Sequence, residues 1–189
     1  MKQIVEKENL FSQTLAEEKT ELYFSREELE GVPANTISLL GKKEDKFIIT
    51  MKYPDVLPVL QFCSVANTRK QVMTAFNNRG GEGNLKLLEE TIQLRKEAVQ
   101  LLGYPDFPTY ALENTMAEKP ENVKHFLEDL RAKLEKSGHK EKEELQKFKN
   151  ECGEEGELEA WDFSYYSNLL KEKLYHVFLH SHSFDSCVD

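Results

Sequence analysis

The chain has 189 residues, of which 39% are hydrophobic and 31% are charged. This composition is typical of a globular protein, and the length suits one domain of ordinary size. The formal net charge of -9 argues against a nucleic-acid-binding protein and against docking on anionic lipid, because both partners are themselves negatively charged.

We expect neither a membrane-spanning segment nor a secretory leader in this sequence. No stretch approaches the roughly 20 apolar residues that a membrane-spanning helix needs, and the first residues lack an apolar run. The cysteines Cys63, Cys152 and Cys187 are odd in number and widely spaced, which disfavours a disulfide framework and a thiolate zinc site. We therefore expect a cytoplasmic protein with reduced thiols.

The first third of the chain is predicted to contain short helices and a single strand. Residues 6–19 are expected to be helical, and Ser25 to Glu28 fit a capping box that would begin a short helix. Another short helix is expected from Asn35 to Leu40. Residues 46–52 (KFIITMK) are rich in β-branched side chains and predict one strand. No partner strand is evident, which suggests that a neighbouring element is missing.

Longer helices are expected in the middle of the chain. Residues 55–62 and 67–78 predict two of them, and residues 80–83 (GGEG) predict a flexible loop. The clearest helix is expected from Asn84 to Leu102, because Asn caps helices and Gly103 follows. Its predicted buried face comprises Leu85, Leu88, Ile92, Leu94, Ala98, Val99 and Leu102.

The last third is predicted to be helical as well. A helix is expected at residues 109–116, and another from Pro120 to Lys136, ended by Gly138. Its inward side chains would be Val123, Phe126, Leu127, Leu130 and Leu134. A separate, strongly charged helix at residues 139–152 would form one arm of a hairpin. The final helix is expected from Trp161 to Leu174. The predicted fold class is all-α, mainly helical, with at most one or two short strands.

Residues 176–189 form a divergent tail that contains a histidine cluster. His176, His180 and His182 have the spacing H-x-x-x-H-x-H, and positions i and i+4 of a helix can share a metal ion. Zinc peptidases use H-E-x-x-H, in which the glutamate is the general base, but here Val177 follows the first histidine. These histidines are weak metal candidates: accidental composition is favoured, with adventitious binding or a true site as alternatives.

The other candidate residues favour solvation or packing over chemistry. His125 and His139 are isolated, and Glu143-Glu144 lies on a charged helix face. The aromatic cluster from Trp161 to Tyr166 is interpreted as core packing, with the lining of a substrate channel as the alternative. Residue chemistry alone therefore predicts an acidic helical protein with no catalytic residue assigned.

Five segments, in order, resemble the thimet oligopeptidase and neurolysin family of zinc metallopeptidases. They are FSREELEGVP (24–33) with KYP (52–54), TRK to AFNNR (68–79), LLGY (101–104), YALE with MA (110–117), and AWD with YY (160–166). The resemblance covers about residues 8–175. It implies a helical segment at 1–175 that precedes the catalytic helices, followed by the divergent tail at 176–189.

The resemblance also implies a function. The family hydrolyses short peptides inside a deep channel and holds zinc through H-E-x-x-H and a later glutamate. None of the five histidines of this chain is followed by glutamate, so no catalytic or zinc-binding residue is carried over and no cofactor is expected in this chain. We expect a truncated, alternatively spliced or mispredicted gene product that is inactive alone, and its uncovered apolar faces predict a liability to self-association or aggregation. The alternative is a non-catalytic helical module that binds peptides or another protein.

Overall fold

The computed structural model describes residues 2–175, which fall into two compact units. One unit contains the residues up to Glu18 together with 80–138, and the other contains 19–79 together with the residues from His139 onward. Helices dominate both units, which confirms the predicted mainly helical class. Within residues 2–175, no helix combines the length and apolar character that crossing a bilayer requires. The predicted boundary at 175/176 coincides with the end of the described residues and stays a prediction.

Eight helices and three strands are present among the described residues. The helices are α1 (Lys2–Ala16), α2 (Ala34–Leu39), α3 (Tyr53–Phe62), α4 (Ala66–Asn77), α5 (Gly81–Leu101), α6 (Phe107–Leu112), α7 (Pro120–Glu151) and α8 (Phe163–Tyr175). The strands are β1 (Glu21–Phe24), β2 (Lys42–Lys43) and β3 (Lys46–Thr50).

The first unit is built around the packing of α1 against α5. Hydrogen bonds and ion pairs contribute to the contact between these two helices. The Asn84 amide nitrogen donates to the Phe11 carbonyl oxygen at 3.2 Å, and Lys7 pairs with Glu90 across the two helices. The predicted loop at residues 80–83 is wrong, because α5 already begins at Gly81. Gly80 takes the left-handed conformation that precedes the helix, with φ of 76°.

The predicted buried face of α5 is only partly correct. Val99 is buried, whereas Leu85, Leu88, Ile92 and Leu102 are exposed. Asn84 and Thr91 are buried in their place. Helical periodicity identifies an apolar face, but the neighbouring element decides which face is covered. In this unit the neighbour is α1, which meets α5 through hydrogen bonds and ion pairs.

Helix α7 is one continuous helix of 32 residues, so the prediction of two helices separated at Gly138 is wrong. Gly138 is helical and a Cβ there would meet nothing within 4 Å. A glycine in a helix interior costs only about 1 kcal/mol, and the helix formers on either side outweigh that cost. The predicted hairpin arm is therefore absent from the described residues. Leu145 and Phe148 are buried as predicted.

The second unit contains a three-stranded antiparallel sheet in the order β1-β3-β2. The prediction of a strand without a partner is therefore wrong, and so is the inference that a neighbouring element is missing. Leu22 pairs with Ile49, and Lys42 pairs with Phe47. The partner strands have only four and two residues, which is too short for an alternating pattern to reveal them.

The segment after β1 consists of turns, so the short helix predicted from Ser25 is wrong. The capping-box hydrogen bonds nevertheless form: the Glu28 carboxylate accepts from the Ser25 N–H at 2.8 Å, and the Ser25 hydroxyl accepts from the Glu28 N–H at 3.3 Å. Gly31 then turns the chain at φ of 84°. The turns contribute Leu29 and Val32 to the core of the unit, where both are fully buried.

Candidate functional site

The densest group of buried charges lies in the second unit. Arg69 comes from the first turn of α4, Lys149 from the last turn of α7, and Asp162 immediately precedes α8. Their side chains are 0%, 6% and 1% exposed. Charged side chains are almost never buried to this degree unless they are paired. We refer to Arg69, Lys149 and Asp162 as the buried charge cluster.

The Asp162 carboxylate holds the cluster together. Its Oδ1 accepts from Arg69 Nη2 at 2.6 Å, and its Oδ2 accepts from Lys149 Nζ at 2.8 Å. The Glu159 N–H also donates to Oδ2 at 3.3 Å. Both carboxylate oxygens are thus committed to donors of the chain itself. Asp162 is fixed as an ionised anchor, and this geometry does not suit a general base.

The two cations are bound to backbone as well. Arg69 Nη1 donates to the carbonyl oxygens of Cys63 and Ser64 at 2.8 and 3.0 Å. Lys149 Nζ donates to the Glu157 carbonyl oxygen at 2.9 Å. The cluster therefore connects the end of α3, the start of α4, the end of α7 and the loop before α8. Buried ionic groups with this many donors and acceptors fix the geometry of the elements that carry them.

Aromatic side chains surround the cluster. The Arg69 guanidinium lies 4.2 Å from the centroid of the Tyr165 ring, a distance typical of a cation–π contact. Tyr166 is fully buried and meets Phe148 edge to face, with 6.3 Å between the ring centroids. Trp161 is half-buried, and the Lys70 ammonium lies 4.8 Å from its ring. Tyr166 thus belongs to the core, as the sequence interpretation favoured.

Three titratable groups of this region have shifted pKa values. Burial by itself raises the pKa of Asp162, but the hydrogen bonds from Arg69, Lys149 and the Glu159 N–H together lower that pKa below its usual value. Burial raises the pKa of the Cys63 thiol, which disfavours the reactive thiolate. Burial also raises the pKa of Tyr166 well above its usual value. None of these shifts produces a nucleophile or a base poised near neutral pH.

The pKa of Asp162 predicts a specific loss of stability in acid. Because the pKa is lower in the folded chain than the value of about 3.9 expected when unfolded, ionised Asp162 stabilises the fold above about pH 4. That contribution declines as the pH falls from there through the folded pKa. The unfolding free energies of the native chain and of Asp162→Asn should differ by a constant amount above about pH 5 and converge below pH 4. A difference that stays constant down to about pH 2 would exclude this linkage.

Sequence reasoning did not single out this cluster as a site. Arg69 and Asp162 each lie in a segment that resembles the family. They are 93 positions apart in the chain, so no local sequence pattern predicts that they pair. Lys149 looked like any other charge on a solvated helix. The one sequence feature that could have indicated a structural role for Asp162 is its position directly after Trp161, where a helix begins.

The residues that were considered as metal ligands are not brought together. His125 and His139 are both exposed, and His176, His180 and His182 lie outside the described residues. Among residues 2–175, no three His, Cys, Asp or Glu side chains are grouped so that they could hold a metal ion. The Asp162 side chain is 1% exposed, and each of its oxygens already accepts a hydrogen bond from Arg69 or Lys149. The described residues therefore do not fit a zinc site, and no catalytic step is assigned to zinc in this part of the chain.

Comparisons with known proteins extend over most of the chain. The family model for Peptidase family M3 matches residues 59–186. The chain is 39% identical to Thimet-like oligopeptidase of Dictyostelium discoideum over 162 residues, and that alignment covers 83% of this chain and 24% of the relative. It is also 39% identical to Saccharolysin of Saccharomyces cerevisiae, covering 84% of this chain and 24% of the relative.

A bacterial oligopeptidase is similar to the chain over nearly the same share of its length. The chain is 32% identical to Oligopeptidase A of Salmonella typhimurium over 172 residues, covering 84% of this chain and 25% of the relative. The chain thus spans about a quarter of the length of the curated relatives it matches. The buried charge cluster, which comprises Arg69, Lys149 and Asp162, lies within the residues that the family model matches. The chain therefore belongs to Peptidase family M3.

Proposed function

We propose that this chain forms part of the helical framework of a zinc-dependent oligopeptidase that cleaves short peptides, and that these 189 residues do not hydrolyse peptides on their own. The family match supports the first statement. The second is supported by the sequence, in which no histidine is followed by glutamate as H-E-x-x-H requires. Peptide substrates are proposed because the relatives are oligopeptidases by name.

The observation that carries this proposal is that the Asp162 carboxylate is buried and hydrogen-bonded by the chain itself. A catalytic carboxylate must face substrate or water, whereas the Asp162 side chain is 1% exposed and both of its oxygens accept hydrogen bonds from the chain itself. The role of the buried charge cluster is then to position α4, α7 and α8. It holds together segments that are far apart in sequence.

Metal content and peptidase activity of the purified 189-residue chain, measured on one sample, test this function. We expect no stoichiometric zinc and no cleavage of a quenched fluorescent peptide, because the general base and ligand set of a zinc peptidase are absent from the sequence. A family enzyme that contains H-E-x-x-H serves as the positive control for substrate and buffer. Cleavage that a chelator abolishes, together with zinc at one equivalent, would refute the proposal.

The histidines of the tail provide the matched control for that experiment. If zinc is detected, the variant His176→Ala/His180→Ala/His182→Ala separates a tail site from a contaminant. Adventitious binding predicts weak zinc affinity that this triple variant removes, without any change in cleavage. Cleavage lost together with zinc in the triple variant would make the tail a catalytic element.

A second candidate function is peptide binding without catalysis. It is favoured by Trp161, whose half-buried ring lies beside the Lys70 ammonium at 4.8 Å. A bound peptide carboxylate would compete for that ammonium and alter the environment of the only tryptophan. A peptide-dependent change in tryptophan fluorescence that Lys70→Met abolishes would support this function. A constant signal up to about millimolar peptide would exclude it.

We also propose a cytoplasmic location. Cys63 supports this location, because it is a buried thiol without a disulfide, and such thiols are typical of reducing compartments. Fractionation of cells that express the tagged chain, with a cytosolic and a secreted marker as controls, tests the proposal. Recovery of the chain with the secreted marker would overturn it.

A further inference from the structure

Arg79 follows the end of α4, and its guanidinium is held against that helix. Its Nε donates to the Phe76 carbonyl oxygen at 2.7 Å, so one of the five N–H donors of the side chain satisfies a carbonyl of the last helical turn. The guanidinium carbon lies 3.5 Å from the centroid of the Phe76 ring. The hydrogen bond and the stacking contact together fix the position of the guanidinium.

A second aromatic ring lies beside this guanidinium. The Tyr53 and Phe76 rings meet edge to face, with centroids 5.3 Å apart, and the Arg79 guanidinium carbon lies 5.7 Å from the Tyr53 centroid. Tyr53 is 58% exposed, whereas Phe76 and Arg79 are half-buried. A ligand that reaches Arg79 can therefore also contact the Tyr53 ring.

The two terminal nitrogens of Arg79 have no partner among the described residues. Within residues 2–175 only the Nε of this side chain takes part in a hydrogen bond, and neither Nη1 nor Nη2 is among the buried polar atoms that lack a partner. Both nitrogens therefore reach the surface. Such a pair of nitrogens at the outer end of a guanidinium can bind a carboxylate through two parallel hydrogen bonds. We call them the Arg79 fork.

Arg79 also has no acidic partner, although acidic residues outnumber lysine and arginine by nine in this chain. Arg69 is paired with Asp162, and Arg95 is paired with Glu8. No carboxylate of residues 2–175 forms an ion pair with Arg79. A ligand carboxylate would therefore not have to displace one that belongs to the described part of the chain.

We propose that the Arg79 fork, with the Tyr53 ring beside it, is a binding site for a carboxylate of a short peptide. A guanidinium fork also fits phosphate, but a chain of net charge -9 repels a doubly charged anion more strongly than a singly charged one. The exposed Tyr53 ring suits an apolar side chain next to the carboxylate. The choice of a peptide as the carrier rests on the proposed function, whereas the carboxylate follows from the geometry.

Nitrogen-15 NMR of the guanidinium groups in the 189-residue chain tests the Arg79 fork. Arg79→Lys assigns the Arg79 Nε–H signal by its disappearance. We expect acetate, added at constant ionic strength, to shift this signal along a saturable curve with a millimolar dissociation constant, as for one surface ion pair. Inorganic phosphate is the second probe, and tighter binding of phosphate than of acetate would overturn the choice of a carboxylate.

Arg131 is the matched control in the same spectra. It is exposed on a part of α7 where the side chains predicted to face inward, such as Phe126 and Leu130, are exposed as well. No aromatic contact or ion pair fixes it among the described residues, so its Nε–H signal should shift little with acetate. Equal shifts of Arg79 and Arg131 would mean that acetate meets any exposed guanidinium, and this would overturn the proposal.

Three peptides identify the source of the carboxylate. They are Ala-Ala-Ala-Leu as the free acid, the same peptide with a C-terminal amide, and N-acetyl-Ala-Glu-Ala amide. Saturable binding of the free acid assigns the site to a peptide C-terminus, and binding of the glutamate peptide assigns it to an acidic side chain. The amide of Ala-Ala-Ala-Leu carries no carboxylate, and binding of this amide as tight as that of the free acid would overturn the proposal.

Two variants test the residues of the site. Arg79→Lys keeps the charge but loses the fork, so it should raise the dissociation constant of the bound peptide at least about tenfold, measured from backbone amide shifts. Tyr53→Ala should weaken peptide binding but leave acetate binding unchanged. Both variants should keep the helical circular dichroism of the native chain.

The outcomes separate this site from the proposed function. No saturable shift of the Arg79 signal with acetate would overturn the proposal, whatever the chain does with peptides. Saturation by acetate without tighter binding of any peptide would refute the peptide as the ligand and leave the oligopeptidase framework unaffected. Zinc-dependent cleavage by the chain would refute the proposed function without changing the acetate result.

Discussion

Replacing Asp162 with asparagine should be among the most destabilising single substitutions in this chain. Asn keeps the size of the side chain but removes the charge, so Arg69 and Lys149 remain buried as unpaired cations. Removing one partner of a buried ion pair typically costs about 3–5 kcal/mol. That is a large share of the roughly 5–15 kcal/mol that keeps a domain folded. Urea unfolding followed by fluorescence of the only tryptophan, Trp161, reports on this region directly.

Two further variants make that result specific. Asp129→Asn removes an exposed ion pair with Lys133, whose side chains are 51% and 71% exposed, and it should change the free energy of unfolding by less than about 0.5 kcal/mol. Replacing all three cluster charges with apolar side chains of similar size should recover part of the stability lost in Asp162→Asn, because no buried charge is then left unpaired. The recovery is incomplete because the carbonyl oxygens of Cys63, Ser64 and Glu157 lose their donors. A mild effect of Asp162→Asn, equal to that of Asp129→Asn, would show that the cluster is solvated in solution.

Replacing Gly31 with alanine should have an effect of similar size for a steric reason. Gly31 has φ of 84°, and a Cβ there would lie 2.3 Å from the Phe62 carbonyl oxygen and 3.2 Å from the Ser64 nitrogen. Both neighbours are backbone atoms, so no side-chain rotation can relieve the overlap. The backbone would have to move apart, and the 2.9 Å hydrogen bond from the Ser64 N–H to the Glu30 carbonyl would be lost. We expect a loss of about 3 kcal/mol or more in the unfolding free energy.

Gly153→Ala is the matched control for that substitution. Gly153 has nearly the same φ, 81°, but a Cβ there meets nothing within 4 Å. It should cost only the roughly 1–2 kcal/mol of the left-handed conformation itself. The difference between the two variants then measures the contact of Gly31 with the end of α3. Equal losses would mean that the turn at Gly31 adjusts freely and that the contact contributes nothing.

Local signals in the sequence were sufficient to predict that most of the helices exist. The caps, the 3.6-residue spacing and the proline positions predicted helices near α1, α3, α4 and α5, and the β-branched run predicted β3. The capping box at Ser25 was also detected correctly as a set of hydrogen bonds. These hydrogen bonds stabilise a series of turns instead of a helix, and the turns place Leu29 in the core a few residues after β1.

The sequence was less informative wherever a partner element decides the outcome. Strands β1 and β2 are too short to have a pattern of their own and exist because β3 supplies their hydrogen bonds. Gly138 predicted a helix end, but the helix continues through it, because a long helix tolerates the small cost of one glycine. The buried face of α5 depends on α1, which the spacing of leucines in α5 cannot encode.

The sequence by itself determined the helical class, the acidic surface, the absence of H-E-x-x-H and, through its ordered segments, the family. Only the tertiary structure decided which charges are buried. Arg69, Lys149 and Asp162 look in the sequence like ordinary charges on helices, because a charge is locally compatible with solvent at any helical position. Their burial follows from the packing of α4, α7 and α8 around one carboxylate, and a contact across 93 residues leaves no periodic trace in the chain.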